Sequence, residues 1–425
     1  MAKILPTVLT STLLLSSLYA AQETTEQRER IPSVRKAVDS IANMEQKDID
    51  IVSSFRHMFE DGKVSGQVRS IYANYNNKKL NEPNTYATAI GGILKYELAE
   101  FQGFNAGVAF YTSQDINFAT GSASEHKQNN ELSSSDGSYT DLSEAYINYR
   151  YKDLNLRAGR QTLDTPLADS DDIRMIQNTF EAYIASYSYA NIDILGGFIS
   201  SWEGVDQDLD DGWKTVADNG AYLVGASYNE LFELNAYYYN FTKRFQAVYL
   251  DAGFNYPLND TISFHGALQF LDESELDNSN YDSTIYGAVA ELVMYDLGIN
   301  IAYNNAHNSK NKQSFSGTGG GSLFTSMDTT IIDEVTEDRD SYAVVGGLSY
   351  DFSDFNFLYA YGSFKGDANS NGEKAHLIEQ DMGVEYSPND AFTLAAIYVI
   401  SEDKEQDLKT EYDWTRMQLM LNYSF

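Results

Sequence analysis

From residue 63 to the C-terminal Phe425 the chain alternates apolar and polar side chains in run after run of strand length. A period of two marks strands with one apolar face. About eighteen such runs are legible, the first at 64–75 and the last at 412–425. Their connections alternate in length. Tight ones fall at Lys152-Asp153, Ala190-Asn191, 229–231, 257–260, Tyr295-Asp296, Ser353-Asp354 and 387–391. Several hold Asn, Asp or Pro, the residues that tight turns favour. Long polar segments lie between them, at 113–139, 162–179, 203–220, 272–282, 307–340, 366–376 and 402–411. Short turns at one rim and long loops at the other are the pattern of a barrel in an outer membrane, and a soluble β-sandwich gives no reason for so strict an alternation. The expected fold is therefore all-β: a transmembrane antiparallel β-barrel of about 18 strands over 61–425.

Composition is compatible with this and removes other classes. Mean hydropathy is negative, as it is for strands that show only every second side chain to lipid. The 32 Tyr suit aromatic belts at the two membrane interfaces. A net charge of −33 argues against nucleic-acid binding. With no Cys there is neither a disulfide framework nor a thiolate site.

The N-terminus reads differently. Lys3 and the mostly apolar 4–18, ending Leu18-Tyr19-Ala20, are a cleaved export signal over 1–20. Over 21–60 Ile31, Val34, Val38, Ile41 and Met44 recur at helical spacing, and Ile49, Val52, Phe55 and Phe59 continue the stripe. This predicts a short amphipathic helical leader, periplasmic or lumenal, before the barrel.

Catalytic and metal signatures are missing. The five His (His57, His126, His265, His307, His376) accompany no Gly-x-Ser-x-Gly motif, so no enzyme is expected. His265 shares a parity with Gln269 on the lumenal side and reads as a polar wall residue. Asp206, Asp208 and Asp210 suggest a calcium loop, but Asp211 stands where Gly is required and the closing Glu is absent. That stretch reads as an acidic external loop suited to cation-bridged contact with lipopolysaccharide. The Gly-rich 316–322 lacks the Lys-Ser/Thr of a phosphate loop. No cofactor and no metal are expected.

One connection is more specific. Ala158-Gly159-Arg160-Gln161, then Leu163-Asp164-Thr165-Pro166-Leu167, then Ser170, Asp171 or Asp172, Arg174 and Asn178-Thr179-Phe180-Glu181 together resemble the OprD-type outer-membrane porin family. The start, from Phe59 to Arg69, is also similar to that family's first strand. Gln177-Asn178 stands where Pro is common, and Ala182 where Gly is common. The resemblance covers 59–425 and leaves 22–58 unexplained. It implies the same strand count and a narrow channel for small solutes such as amino acids, carboxylates and ions. It also implies that the loop near 162–179 folds inward, with basic residues on one side of the pore opposite acidic or carbonyl groups. Asp164, Asp169, Asp171, Asp172 and Arg174 are then the constriction candidates. Opposed charges across a narrow lumen select solutes by charge, although Asp171 and Arg174 would serve equally as a local ion pair holding the loop.

Parity gives the wall candidates. Arg157 shares a face with Asn155, opposite Leu154 and Leu156; Arg69 sits with Ser65 and Gln67, Arg150 with Glu144 and Asn148, Arg416 with Gln418 and Asn422, and Lys95 with Glu97. A charge facing lipid near the midplane costs about 2–4 kcal/mol, which alone aims these five inward. The same placement would follow if they only solvated the lumen. The last run ends on an aromatic, Phe425, the kind of terminus that outer-membrane assembly machinery reads. Lipid, lipopolysaccharide and small solutes complete the expected partners, and the barrel is a monomer or a homotrimer. A receptor or adhesin barrel without transport is the rival reading.

Overall fold

The computed structural model describes residues 53–425 apart from 79–83, 117–131, 133–137, 172–173, 205–211, 231, 320 and 406–412. The signal peptide, nearly all of the leader, Asp172 and the aspartates of 206–211 therefore lie outside the described residues. Of the leader, one short helix is described, α1 (Phe55–Glu60).

Eighteen antiparallel strands close into a barrel. They are β1 (Lys63–Asn77), β2 (Thr85–Glu97), β3 (Phe104–Asp115), β4 (Ser138–Tyr151), β5 (Leu154–Gln161) and β6 (Thr179–Tyr189). Then come β7 (Ile192–Glu203), β8 (Ala221–Asn229), β9 (Glu233–Phe241), β10 (Phe245–Asn259), β11 (Ile262–Glu275) and β12 (Ser283–Met294). The last are β13 (Leu297–Asn308), β14 (Ser341–Phe352), β15 (Phe355–Gly366), β16 (Ala375–Asn389), β17 (Phe392–Asp403) and β18 (Trp414–Ser424). Each pairs with its neighbours in sequence, and β18 returns to β1 from Gln67↔Ser424 to Asn77↔Trp414, leaving no open edge. A further two-residue strand, Lys214–Thr215, pairs with the long-loop end of β7.

The strand expectations hold with small shifts at the ends, and two shifts share a cause. β10 and β16 run past Pro257 and Pro388, where tight turns were expected, because a register shift falls between Pro257 and Asn259 and another between Tyr386 and Asn389. A bulge tolerates a residue that cannot donate to the ladder. At the two-residue turns Lys152, Ala190, Tyr295 and Ser353 take left-handed φ values of 54°, 52°, 57° and 57°, the geometry that matches a hairpin to strand twist.

The core is inside out. On β18 Met417, Leu419, Leu421 and Tyr423 face outward, while Arg416, Gln418, Met420 and Asn422 are buried. The outer surface carries the apolar belt that lipid requires. At the short-turn rim Tyr151, Tyr189, Tyr256, Tyr295 and Phe352 are exposed and form an aromatic girdle.

Candidate functional site

Among the described residues two long segments turn into the lumen, joined in their apolar clusters by Leu132 and Val216 from other connections. The first is 162–178, between β5 and β6. It folds on itself: Asp164–Thr165 pairs with Ala168–Asp169 around Pro166-Leu167, and Pro presets the turn dihedral. The Thr165 hydroxyl donates to the Ala168 carbonyl (2.9 Å), and the Leu163 amide donates to the Ser170 hydroxyl (2.8 Å). Leu163, Leu167 and Ala168 are buried in an apolar cluster with Tyr237, Tyr239 and Phe241 of β9. Met175 and Ile176 are buried in a different cluster, with Ile71 and Ala73 of β1, Tyr111 of β3 and Met420 of β18. The segment thus leans on two separate arcs of the wall, with its polar residues between them. Met420, an apolar residue in the polar row of β18, is explained by this contact.

The second inward segment is 309–340, between β13 and β14, where the sequence shows one long polar connection. Leu323, Met327, Ile332 and Val335 are buried in the first cluster, and 332–335 form a single 3₁₀ turn. Wall side chains bind its backbone. Gln269 donates to the Ser322 carbonyl (2.7 Å) and accepts from the Phe324 amide (3.1 Å). Asn304 accepts from the amide and hydroxyl of Thr325 (both 3.0 Å). Glu379 accepts from the Thr329 amide (3.0 Å) and the Thr330 hydroxyl (2.5 Å). Asp328 and Arg416 form an ion pair of 2.6 Å, with both side chains out of solvent. The two segments also join each other: the Asp169 amide donates to the Thr318 carbonyl, and the Thr318 amide to the Leu167 carbonyl (both 3.0 Å). The missed signal was the apolar set Leu323, Phe324, Met327, Ile332 and Val335, scattered without a period through a Ser/Thr/Gly-rich stretch.

The five basic wall candidates all face inward, on one contiguous arc: Arg416 on β18, Arg69 on β1, Lys95 on β2, Arg150 on β4 and Arg157 on β5. Their surroundings differ. Lys95 meets Glu144 (2.9 Å) and Glu97 (3.5 Å), and Arg150 meets Glu100. Arg157 stacks over the Tyr146 ring at 4.3 Å. Arg69 donates to Asn422 (3.3 Å), to Gln67 (3.0 Å) and to the backbone carbonyl of Arg174. Arg69 therefore holds the first segment where it reaches β1. Elsewhere on the wall the buried inward side chains include Asp193 on β7, Asp251 on β10, Glu291 on β12 and Asp381 on β16. His265 faces inward beside its cross-strand partner Glu291.

Of the constriction candidates, Asp164 and Asp169 lie opposite each other on the small hairpin, both half-buried. Asp171 is half-buried and Arg174 buried in the polar stretch between the two contact points. Among the described residues no three His, Asp or Glu are grouped as metal ligands.

A family model described as outer membrane porin, OprD family, matches residues 56–398. No curated protein matches. Among solved structures the chain is similar to Acinetobacter baumannii OccAB3, with a TM-score of 0.73 and 15% identity over 86% of this chain and 99% of that one. It is similar to Pseudomonas aeruginosa OccK9 (OpdG), with a TM-score of 0.75 and 13% identity over 87% of this chain and 99% of that one. It is also similar to Pseudomonas aeruginosa OpdK with vanillate, with a TM-score of 0.73 and 16% identity over 86% of this chain and 99% of that one. What is shared at that identity is the fold.

Proposed function

This chain belongs to the OprD family of outer membrane porins, channels for small solutes, and we propose that it is a passive, moderately selective pore for amino acids and carboxylates. Solutes move down their gradients with no covalent chemistry and no cofactor. Asp164, Asp169, Asp171, Asp172 and Arg174 set the constriction, and the arc of Arg416, Arg69, Lys95, Arg150 and Arg157 guides the carboxylate. The observation that carries this reading is a lumen crossed by inward segments and lined by both signs of charge. The five basic residues share one arc, where Glu97, Glu100 and Glu144 pair with Lys95 and Arg150, and Asp193, Asp251, Glu291 and Asp381 face inward from other strands. Charged groups facing one another across a narrow lumen orient a dipolar solute as it passes. A fold neighbour solved with vanillate, itself a carboxylate, agrees with that substrate class.

The acidic external loops raise the cation concentration at the mouth and meet lipopolysaccharide through divalent ions. Phe425 is the assembly signal: its backbone pairs with Gly66 (3.0 Å in each direction) and its side chain is exposed beside the β1–β18 seam.

Planar-bilayer recording of the purified protein tests the proposal. Discrete conductance steps are expected, and their absence would leave the receptor or adhesin reading. Replacing Asp171, Asp172 and Arg174 together with Ala is expected to change conductance or selectivity. If neither moves, the constriction lies elsewhere.

A further inference from the structure

We propose that α1 is a membrane-interface anchor: Phe55 and Phe59 insert into the phospholipid leaflet at the short-turn rim, where the chain enters the barrel. The helix is short but two-faced. Phe55 and Phe59, four residues apart, lie on one side with their rings 5.6 Å apart, edge to face, and are 65% and 53% exposed. On the other side Arg56 pairs with Glu60 at 2.6 Å, and His57 lies 3.7 Å from the same carboxylate. Between the faces, Met58 is the buried residue that seats the helix.

Its location is fixed by two hydrogen bonds. The Ala99 amide, in the short turn from β2 to β3, donates to the Met58 carbonyl (3.0 Å). The Tyr96 hydroxyl donates to the Phe59 carbonyl (2.6 Å). On β2 the inward row holds Lys95, so Tyr96 belongs to the outward row, with the exposed Leu94 and Ile90. The helix is therefore attached to the lipid side of the barrel, at the rim of the short turns, which is the periplasmic rim of an outer-membrane barrel. Its two rings continue a surface already committed to lipid. Val64 and Val68 of β1 face outward beside it, and the girdle Tyr151, Tyr189, Tyr256, Tyr295 and Phe352 occupies the same rim. Aromatic rings at that depth are favoured in every outer-membrane barrel, and a two-faced helix with charges on its other side lies in the interface plane. The occupant argued here is phospholipid rather than the preceding chain. The exposed rings continue the outward row of Val64 and Val68 and the aromatic girdle of the same rim, a surface that lipid covers.

The chain has no Cys, so single cysteines introduced at Phe55, Phe59, Arg56 and Glu60 each take one nitroxide label without background. The full-length protein is reconstituted in phosphatidylethanolamine–phosphatidylglycerol vesicles, and collision with oxygen is compared with collision with a water-soluble nickel chelate. The expected result is an oxygen-to-nickel ratio severalfold higher at 55 and 59 than at 56 and 60. Equal ratios at all four sites would overturn the proposal by placing the helix in water. Labels at 55 and 59 shielded from both agents would overturn it in favour of a protein occupant, a second copy or the leader itself.

Discussion

The two inward segments fill the same lumen but are held by opposite means. Segment 162–178 carries its own shape: a paired hairpin, a Pro-containing turn and a side-chain clasp from Ser170 to Leu163. The wall supplies apolar patches for its ends and one cation, Arg69, for its backbone. Segment 309–340 has one 3₁₀ turn and scattered internal hydrogen bonds, such as Met327 to the Thr330 carbonyl and Asn311 to Asp338, but no paired hairpin. Its course is dictated by wall side chains on β11, β13, β16 and β18 that bind its peptide groups and Asp328. The first is a local fold laid across the lumen, and the second is a strand of chain threaded through fixed points. A single wall substitution should therefore disturb the second far more than the first.

The largest effect is expected at Asp328. Removing one partner of a buried ion pair costs about 3–5 kcal/mol, because the remaining charge is stranded. Asp328→Ala leaves Arg416 in that position, so single-channel conductance should rise as 309–340 loses its anchor. The double variant Arg416→Met with Asp328→Leu removes both charges and should stay closer to wild type. If the double variant is as open as the single one, it is the contact and not the stranded charge that matters.

Arg69→Met comes next. It removes a charged hydrogen bond to the Arg174 carbonyl, a contact of a type worth about 1.5–3 kcal/mol. The hairpin of 162–178 and its apolar seats remain, so the expected change is greater open-channel noise with mean conductance little altered. The reversal potential in a KCl gradient should also move toward cation selectivity, since one positive charge has left the wall. Arg157→Gln removes the same charge from a residue stacked on Tyr146 of the wall. It should shift the reversal potential in the same direction without the noise. Equal noise in the two variants would mean that Arg69 is not a fastener of the loop.

The contrast between the segments also explains what could be read in the sequence. Strands were legible because period two repeats along the barrel, and Arg157 and Arg416 could be aimed inward because charge avoids lipid. The 162–178 segment was legible through the family resemblance that its motif carries, and that motif is compact because the shape is local, with Asp164, Pro166 and Ser170 within seven positions of Leu163. The 309–340 segment was not, because its determinants are distant. Asp328 and Arg416 are 88 positions apart, and Gln269, Asn304 and Glu379 sit on three strands that only barrel closure brings to one backbone. Gln269 shared the lumenal parity of His265, and nothing in the sequence singled out Asn304 or Glu379. What they bind depends on registers that parity does not supply.

The smallest expected effect lies at the outer end of the same threaded segment. Asp338 accepts from the Asn311 amide (2.6 Å) and the Ser370 amide (2.9 Å), tying 309–340 to the turn after β15. Hydrogen bonds from Ser370 and then Asn311 lower its carboxyl pKa to about 2. A depressed carboxylate contributes in full above its unfolded value of about 3.9, and the contribution fades as pH falls from there through the folded value. Open-channel noise should accordingly be constant from neutral pH down to about 4, and should grow as the bath facing the long loops is taken toward about 2. Asp338→Asn should show the acid-end noise at neutral pH and no further change across that window. The effect is modest because this carboxylate is only partly buried at the rim, where such contacts are weak. An acid response that survives in Asp338→Asn would assign it to another carboxylate of the lumen.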